Sequence, residues 1–246
     1  MENISIVTIV NNNQVYKEFL ENLKHQVNID YQLLPIINDN NQYDSARSAY
    51  NSVINECIGD YVLFCHPDIR FLDDESLYHM FQYVKEIREF GVVGVAGAAK
   101  SQKNGRIIFS NILHGIDRRN AGEQIREAME VQTVDECLFI FEKEYIKQKK
   151  FSNKKGWHLY AVEECLDALM AKKNNYVIPA NLWHISDGKS LDSNYMIQLE
   201  EIIKTYKSNF KLICTTVKAW KTQGFYAWAY RKYYRFKQCI KRKVMK

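Results

Sequence analysis

Short apolar runs alternate with segments of helical periodicity over the first 100 residues. Residues 4–10 form an apolar, β-branched run, and Asn11 to Asn13 after it are typical of a turn and a helix N-cap. The next apolar positions recur at helical spacing: Tyr16, Phe19, Leu20 and Leu23. This pattern predicts a strand followed directly by a helix.

The alternation continues to about residue 100. Asp73, Asp74 and Glu75 suit the start of a helix, because carboxylates there meet free N–H groups and the positive end of the helix dipole. Gly91 is the expected C-cap of that helix. The other elements predicted in this part are strands at 31–37, 61–65 and 92–96 and a helix at about 44–57. Strands that alternate with helices favour a parallel α/β sheet.

The chain changes character after about residue 100. Strands are predicted at 107–109 and within 133–141 without a long helix between them, which favours an antiparallel or mixed region. The elements predicted after it are a helix at about 159–172, a strand at 176–179, an apolar segment at 183–186 and a helix at 190–206. We therefore expect one domain of catalytic size, residues 1–206, and a C-terminal extension, residues 207–246.

The composition is that of an ordinary soluble globular protein, with 46% hydrophobic and 26% charged residues. No stretch approaches the roughly 20 uninterrupted apolar residues that cross a bilayer, and the N-terminus lacks the pattern of a secretory signal. Six cysteines without metal-ligand spacing are expected to be small buried hydrophobes in a reducing compartment. These features predict a cytoplasmic protein.

The net charge of +5 hides an asymmetry along the chain. Residues 202–246 contain 13 lysines and arginines and no acidic residue, whereas residues 1–201 contain 21 basic and 29 acidic residues, a net charge of −8. The body of the protein is therefore acidic, and the sequence does not predict a general nucleic-acid-binding domain.

The predicted strand at 61–65 ends on His66, Pro67 and Asp68. In parallel α/β sheets, ligands collect beyond the carboxyl ends of the strands, so His66 and Asp68 are candidate functional groups. A simpler explanation is a turn in which Asp68 caps local N–H groups.

The chain also carries a series of motifs whose order resembles a known family: "IINDN", "SARSAYNSVI", "GDYVLFCHPDIRF", "VDECLFIF", "GWHLYAVEECLDAL" and "IPANLWHIS". Over about residues 4–188 they look like the inverting nucleotide-sugar glycosyltransferases of the GT-A fold (family 2-like). Within these, the chain looks closest to the streptomycin-biosynthesis-type subfamily, in which a strand ends on a His-x-Asp triplet. The resemblance implies an α/β fold with a GT-A-type, Rossmann-like mixed sheet flanked by helices, here with a basic aromatic C-terminal helical extension.

The resemblance further implies transfer of a sugar, with inversion, from a nucleotide-diphosphate donor to a hydroxyl of a glycan or a lipid-linked saccharide. A divalent cation, Mn²⁺ or Mg²⁺, would neutralise the leaving diphosphate. Asp68 offers the hard oxygen that such ions prefer. His66 stands where the commoner motif has its first carboxylate, and His184 matches a late histidine that completes the metal site in some relatives.

The resemblance also places donor contacts in the first part of the chain. The backbone up to Val10 and the side chains of Asn38 and Asp39 would meet the nucleoside, and Ser45 and Asn51 are weaker candidates, together with His66 and Asp68. Turn chemistry explains Asn38 and Asp39 equally well, and Asn51 is also read as an ordinary polar helix residue.

The catalytic base is not evident. Many relatives use the aspartate of a Glu-Asp pair at the start of the late helix, where this chain has Tyr160 and Ala161. Glu163 and His158 are the remaining candidates, and Glu164 is the third. Glu163 and Glu164 point about 100° apart on a helix, so at most one is expected to face the site.

Three residues are candidates for the acceptor site. Asp135 and Glu136 precede the buried run at 137–141, and Trp157 could stack on a sugar face. Alternatively, Asp135 and Glu136 are a charged strand end that points to water, and Trp157 is an aromatic residue of the core.

Aromatic and basic residues interleave in the extension, as an interfacial helix on an anionic membrane requires. Single-stranded nucleic-acid binding and a partner subunit are the rival explanations. The sequence as a whole predicts a peripheral membrane glycosyltransferase at the inner face, active in surface-glycan synthesis. The alternative is a non-catalytic relative that keeps the nucleotide-sugar crevice for assembly.

Overall fold

A computed structural model describes residues 3–103, 105–186 and 193–244. Its helices are α1 (Asn13–Leu23), α2 (Ala46–Val53), α3 (Ser76–Glu86), α4 (Lys143–Lys149), α5 (Tyr160–Met170), α6 (Ser193–Tyr206) and α7 (Phe225–Val244), with a 3-10 turn at Ile54–Glu56. Its strands are β1 (Asn3–Val10), β2 (Asp30–Ile37), β3 (Tyr61–Cys65), β4 (Ile69–Phe71), β5 (Val93–Gly94), β6 (Ala96–Ser101), β7 (Gly105–Ser110), β8 (Leu113–His114), β9 (Arg119–Asn120), β10 (Met129–Val131), β11 (Thr133–Val134), β12 (Leu138–Glu142), β13 (Asn175–Val177), β14 (Leu182–His184), β15 (Leu212–Cys214) and β16 (Ala219–Lys221).

A seven-stranded mixed sheet forms the centre of the molecule, in the order β10-β13-β5-β12-β3-β1-β2. β1 pairs in parallel with β2 and with β3, and α1 and α2 supply the crossover connections that parallel neighbours need. β12 runs antiparallel between β3 and β5. The predicted change from a parallel to a mixed arrangement is confirmed, and so is the predicted α/β fold class.

Both faces of this sheet are buried. Along β3, Leu63 and Cys65 join the cluster under α1 and α3, whereas Val62 and Phe64 join the cluster under α2 and α5. Successive side chains of a strand point to opposite faces, so a continuous apolar run is what a strand covered on both sides requires. The five cysteines whose side chains are described are buried, as predicted.

The region around residue 91 differs from the sequence prediction. α3 ends at Glu86, and Gly91 is not its C-cap. Gly91 lies against α5, where an added Cβ would overlap with the Cβ of Ala168. The predicted strand at 92–96 is interrupted at Val95, because β6 leaves the central sheet to pair with β7 and β11.

A four-stranded sheet, β4-β14-β8-β9, lies at the exit of β3. Its register sets His184 of β14 opposite Ile69 of β4 on one side and opposite His114 of β8 on the other. This small sheet brings residues that are far apart in sequence to one edge of the central sheet.

The predicted extension begins with a folded hairpin, β15–β16. Trp220 of this hairpin is buried in a third apolar cluster with side chains of α5 and α6. Arg106 donates to the carbonyl oxygens of Thr215, Thr216 and Val217 in the turn, over 2.6 to 3.0 Å. The hairpin therefore packs on the globular part, and the division at residue 206 stays a prediction.

Helix α7 follows the hairpin and is attached through Arg231. The Arg231 side chain is 5% exposed, and its Nε lies 2.9 Å from Glu200 Oε1 of α6. Among the described residues, no helix is both long and apolar enough to cross a membrane.

Candidate active site

His66, Asp68 and His184 come together where β3 leaves the central sheet. The His66 N–H donates to the carbonyl oxygen of Cys137, and after one turn the chain enters β4. The N–H of Ile185 donates to the Asp68 carbonyl oxygen, which fixes β14 beside the turn. One potential ligand atom from each of the three side chains lies within 4.8 Å of the others. The structure thus brings together the three residues that the sequence analysis assigned to one metal site, and that assignment stays a prediction.

This cluster fits a divalent cation. Asp68 Oδ1 and His184 Nε2 are buried and have no hydrogen-bond partner among the described residues, although His184 Nε2 lies 3.3 Å from Asp68 Oδ2. Burial opposes ionisation of Asp68, but the adjacent His184 and His66 rings outweigh it and lower the pKa of the carboxyl. Two imidazole nitrogens and one carboxylate can together coordinate a divalent first-row metal ion, and the carboxylate is the ligand type that Mn²⁺ prefers.

The cluster lines a cavity of about 590 Å³. Its wall also contains two more histidines and two more carboxyl groups: His114, His158, Asp135 and Glu136. No lysine or arginine of the described chain lines it. A diphosphate in this cavity would therefore meet carboxylates without a fixed cationic side chain, so its charge must be balanced by a bound cation or by protonated histidines.

Asp135 and Glu136 are neighbours in the wall of this cavity, but their pKa values are shifted in opposite directions. Asp135 Oδ1 accepts from the Cys137 N–H over 3.1 Å, and Oδ2 accepts from the Thr216 hydroxyl over 2.6 Å. Burial opposes ionisation of Asp135, but these donors and the nearby histidines lower its pKa. Burial and the Asp135 charge raise the pKa of Glu136 to about 8, although its Oε1 accepts from the Tyr160 N–H over 2.7 Å.

Tyr160, at the start of α5, contacts the cluster directly. Its hydroxyl lies 2.9 Å from His66 Nε2, and burial lowers the pKa of this histidine. His158 is half-buried and lines the cavity, with its ring 5.8 Å from that of Tyr195. The N-terminus of α5 thus presents a phenol that is hydrogen-bonded to the His66 ring.

His114 and Thr216 are site residues that the sequence analysis missed. The His114 ring lies 5.7 Å from the His184 ring because β8 and β14 pair in register. Thr216 comes from the predicted extension. No local sequence pattern marks either residue. His114 reaches the cavity because its strand pairs with a distant strand, and Thr216 reaches it because its hairpin packs on a distant segment.

Glu163 does not line the cavity. Its side chain is 1% exposed and is surrounded by donors: Arg47 Nε at 2.7 Å, the Ser152 hydroxyl at 3.1 Å and Lys154 Nζ. Glu164, the third candidate for the base, pairs with Lys149 on a different side of α5. Glu163 therefore occupies a structural ion cluster, and its catalytic assignment is not supported by its position.

The candidate nucleoside contacts lie at the ends of β1 and β2, outside the lining of the cavity. The Asn38 N–H donates to the Val10 carbonyl oxygen over 2.7 Å, and the Asn38 side chain accepts from the Tyr43 N–H. Asp39 beside it is exposed. Asn38 shapes the turn, and Asp39 is the group that remains available to solvent.

The other donor and acceptor candidates also lie outside the cavity. Ser45 is the buried N-cap of α2 and accepts from the Ser48 N–H. Asn51 exchanges two 2.9 Å hydrogen bonds with the backbone of Phe151. Trp157 is 40% exposed beside His158. The contacts of Ser45 and Asn51 are structural, and their proposed roles stay predictions.

A larger cleft of about 940 Å³ lies behind β8, where Leu113 lines it and the next residue, His114, lines the cluster's cavity. Side chains of α3 and of residues 124–126 form its other walls. We place the chemistry in the smaller cavity, because that one holds the converging ligand atoms and the perturbed carboxyl groups.

The mixed sheet, with the His66–Asp68–His184 cluster at the exit of β3, has the GT-A type of fold, which solved glycosyltransferases share. One is residues 1–349 of TarS from S. aureus in complex with UDP-GlcNAc, with a TM-score of 0.55 and 13% identity over 83% of this chain and 66% of that one. Another is the mannosyltransferase PcManGT from Pyrobaculum calidifontis in complex with GDP-Man and Mn²⁺, with a TM-score of 0.56 and 10% identity over 85% and 65% of the two chains.

The chain itself belongs to the glycosyltransferase-like family, whose model matches residues 5–206. A curated relative from Fuscovulum blasticum, "ATP synthase subunits region ORF 6", is 26% identical over 191 residues, which are 73% of this chain and 74% of that protein. The chain spans about two thirds of the two solved structures. The streptomycin-biosynthesis-type subfamily stays a prediction.

Proposed function

We propose that the protein transfers a sugar from a nucleotide-diphosphate donor to a hydroxyl of a glycan or lipid-linked saccharide, with inversion. The single observation that carries this proposal is the His66–Asp68–His184 cluster in a cavity without a basic side chain among its described walls. The family and the two solved neighbours, one bound to UDP-GlcNAc and one to GDP-Man and Mn²⁺, support it.

His66, Asp68 and His184 would hold the divalent cation, which supplies charge neutralisation of the leaving diphosphate when bound. The Tyr160 hydroxyl fixes the orientation of the His66 ring through its 2.9 Å contact with Nε2. The His184 ring also packs against the His114 ring, with 5.7 Å between the ring centroids. These contacts keep the ligand atoms converged before the donor arrives.

The test is a panel of nucleotide sugars, beginning with UDP-GlcNAc and GDP-mannose, with and without Mn²⁺. We expect the correct donor with Mn²⁺ to raise the melting temperature, because a ligand at 100 times its Kd stabilises the native state by about 2.7 kcal/mol. Donor hydrolysis or transfer should fall at least about 100-fold in Asp68→Asn, since a positioned charge in the site is lost. Mn²⁺ affinity, measured by electron paramagnetic resonance, should fall in the same variant and stay unchanged in His79→Ala, an exposed histidine control.

Full turnover in Asp68→Asn would remove the proposed site. A donor that binds tightly and is never turned over, across all acceptors, would favour the alternative of a non-catalytic binding relative. That alternative draws on the Tyr160–Ala161 sequence, which stands where relatives carry the acidic pair.

Helix α7 supports a membrane-peripheral location for this activity. Arg231 and the half-buried Tyr234 face the hairpin and α6, whereas the opposite side exposes large side chains, among them Phe225 at 72%, Tyr233 at 60% and Phe236 at 63%. Lys232 and Lys237 are exposed on the same side. A helix face that combines aromatic and basic groups suits the interface of an anionic bilayer. We propose that this side of α7 rests on the inner face of the membrane.

Flotation with vesicles of phosphatidylglycerol and phosphatidylcholine in equal parts tests this location. The full chain should float, whereas Lys232→Glu/Lys237→Glu and a chain ending at Gly224 should remain at the bottom. A matched double variant, Lys17→Glu/Lys103→Glu, changes exposed lysines elsewhere and should float like the wild type. Equal flotation of all variants would end the membrane proposal. If the full chain retains single-stranded oligonucleotides and the chain ending at Gly224 does not, the result would favour nucleic-acid binding as the role of α7.

A further inference from the structure

We infer that Asp135 is the general base that takes the proton of the acceptor hydroxyl, an inference that rests on the proposed glycosyl transfer. The sequence analysis placed this residue at an acceptor-binding edge and named Glu163, His158 and Glu164 as candidates for the base. The geometry of the cavity points instead to the strand end between β11 and β12.

Three carboxyl groups of the described residues line the cavity: Asp68, Asp135 and Glu136. Asp68 belongs to the cation cluster. Glu136 holds the N-terminus of α5 through the Tyr160 N–H, and its pKa of about 8 keeps it protonated at neutral pH. Glu163 is outside the cavity and neutralised by Arg47 and Lys154. Of these carboxyl groups, Asp135 is the one that is ionised, lines the cavity and lies outside the cation cluster.

Asp135 is also oriented as a base must be. The Cys137 N–H contacts one carboxylate oxygen and the Thr216 hydroxyl contacts the other, so the group is held from both sides. Each oxygen keeps a lone pair, because a carboxylate accepts about four hydrogen bonds in all. The Asp135 N–H is itself fixed to the Ala96 carbonyl oxygen over 2.8 Å. The carboxylate can therefore receive a proton without moving.

The step balances as a single displacement. The acceptor oxygen attacks the anomeric carbon on the face opposite the diphosphate, and the bond from that carbon to the phosphate oxygen breaks with its electron pair leaving on the diphosphate. The acceptor proton passes to an Asp135 oxygen, so the new glycosidic bond forms with inversion and the charge is conserved.

Azide separates a base from other roles, because this anion attacks the anomeric carbon without a proton to lose. With a nucleotide sugar that the wild type hydrolyses, Asp135→Asn should lose hydrolysis about 100-fold or more. In the same variant, sodium azide should yield the inverted glycosyl azide at a rate close to that of the wild type with azide. Asp117→Asn, an exposed aspartate changed in the same way, should behave as the wild type in both reactions.

Loss of the azide reaction together with hydrolysis in Asp135→Asn would overturn the inference. Normal hydrolysis in Asp135→Asn, together with a loss of hydrolysis in His158→Gln that azide restores, would overturn it as well. Unchanged Mn²⁺ affinity and melting temperature in Asp135→Asn are expected, and a large loss of either would assign Asp135 to the cation site or to the fold. A wild type that turns over no donor would defeat the proposed function itself, which is a distinct result.

Discussion

Glu136 is a buried acid that keeps its proton above neutral pH. Its pKa in the folded protein is about 8, compared with 4.5 for the free side chain. Between these values the folded state binds a proton that the unfolded state has released, so the free energy of unfolding should fall as the pH rises from about 5 to about 8. The size is on the order of a few kcal/mol, at about 1.4 kcal/mol per pKa unit.

Urea unfolding at pH 5.5 and pH 8.5 measures this loss in the wild type and in Glu136→Gln. The amide resembles the protonated acid, so the variant should lose less stability over the same range. An identical pH dependence in the two proteins would show that Glu136 does not carry the effect.

Glu163 stabilises the fold as the partner of a buried cation. Glu163→Gln leaves Arg47, which is 1% exposed, without a counter-charge, and breaking such a buried pair typically costs about 3–5 kcal/mol. Urea unfolding should show a loss of this size. Glu21→Gln removes the exposed partner of Lys24 and should change stability by less than about 1 kcal/mol. A Glu163→Gln protein as stable as the wild type would contradict the structural assignment.

Residues were predictable where the pattern that marks them is local. His66 and Asp68 follow an apolar strand, and this position together with the order of the surrounding motifs marked them as candidate site residues. The direction of Glu163 was not predictable, because every residue of the first two turns of α5 is buried and a helical wheel gives no exposed face there. The cavity residues from β8 and from the hairpin are set by long-range pairing, which no local pattern records.

At the scale of elements, Arg231 supplies the polar contacts that attach α7 to the domain. Arg231 bonds Glu200 of α6 and the Lys221 carbonyl oxygen of the hairpin over 2.6 Å. Arg231→Ala should free the helix while leaving the core clusters intact. Hydrogen exchange of the amides at 225–237 should speed up at least about tenfold, since a charge-assisted hydrogen bond contributes about 1.5–3 kcal/mol.

Lys232→Ala is the control for this change, because the exposed Lys232 is the next residue of the same helix. Its exchange should match that of the wild type. Protection that survives in Arg231→Ala would mean that aromatic packing, such as Tyr234 on Trp220, is sufficient to hold α7.

Strands and helices were predictable where the spacing of the apolar residues and the length of the apolar segment agreed with the way the element is buried. A short continuous apolar run indicates a strand that is covered on both faces, and this identified the strands at 4–10, 31–37 and 61–65. Helical spacing of apolar residues indicates a helix packed on the sheet, and this identified the helix before β13. The early end of α3 and the break between β5 and β6 were not predictable. In this region Gly91 and Gly94 lie against Ala168 and Val134 from remote segments, and no local pattern records such contacts.

At the scale of the whole molecule, charge is divided between an acidic body and a basic end. The final 45 residues carry 13 lysines and arginines without an acid. Binding of the full chain to anionic vesicles should therefore weaken as salt rises from about 0.05 to 0.5 M, because the Debye length shrinks to a few ångströms. Residual flotation at high salt would measure the aromatic contribution, and salt-independent flotation would contradict electrostatic attraction to the lipid.

The turn that Arg106 clamps has a practical consequence for anyone who trims this gene by homology. Thr215, Thr216 and Val217 line the cavity, yet they lie beyond the last residue of the family match. A fragment ending there would open the pocket to bulk water on one side and release the Asp135 carboxylate from the Thr216 hydroxyl. Inactivity of such a fragment would then result from the loss of part of the cavity lining, and it would not show that the full protein lacks the activity.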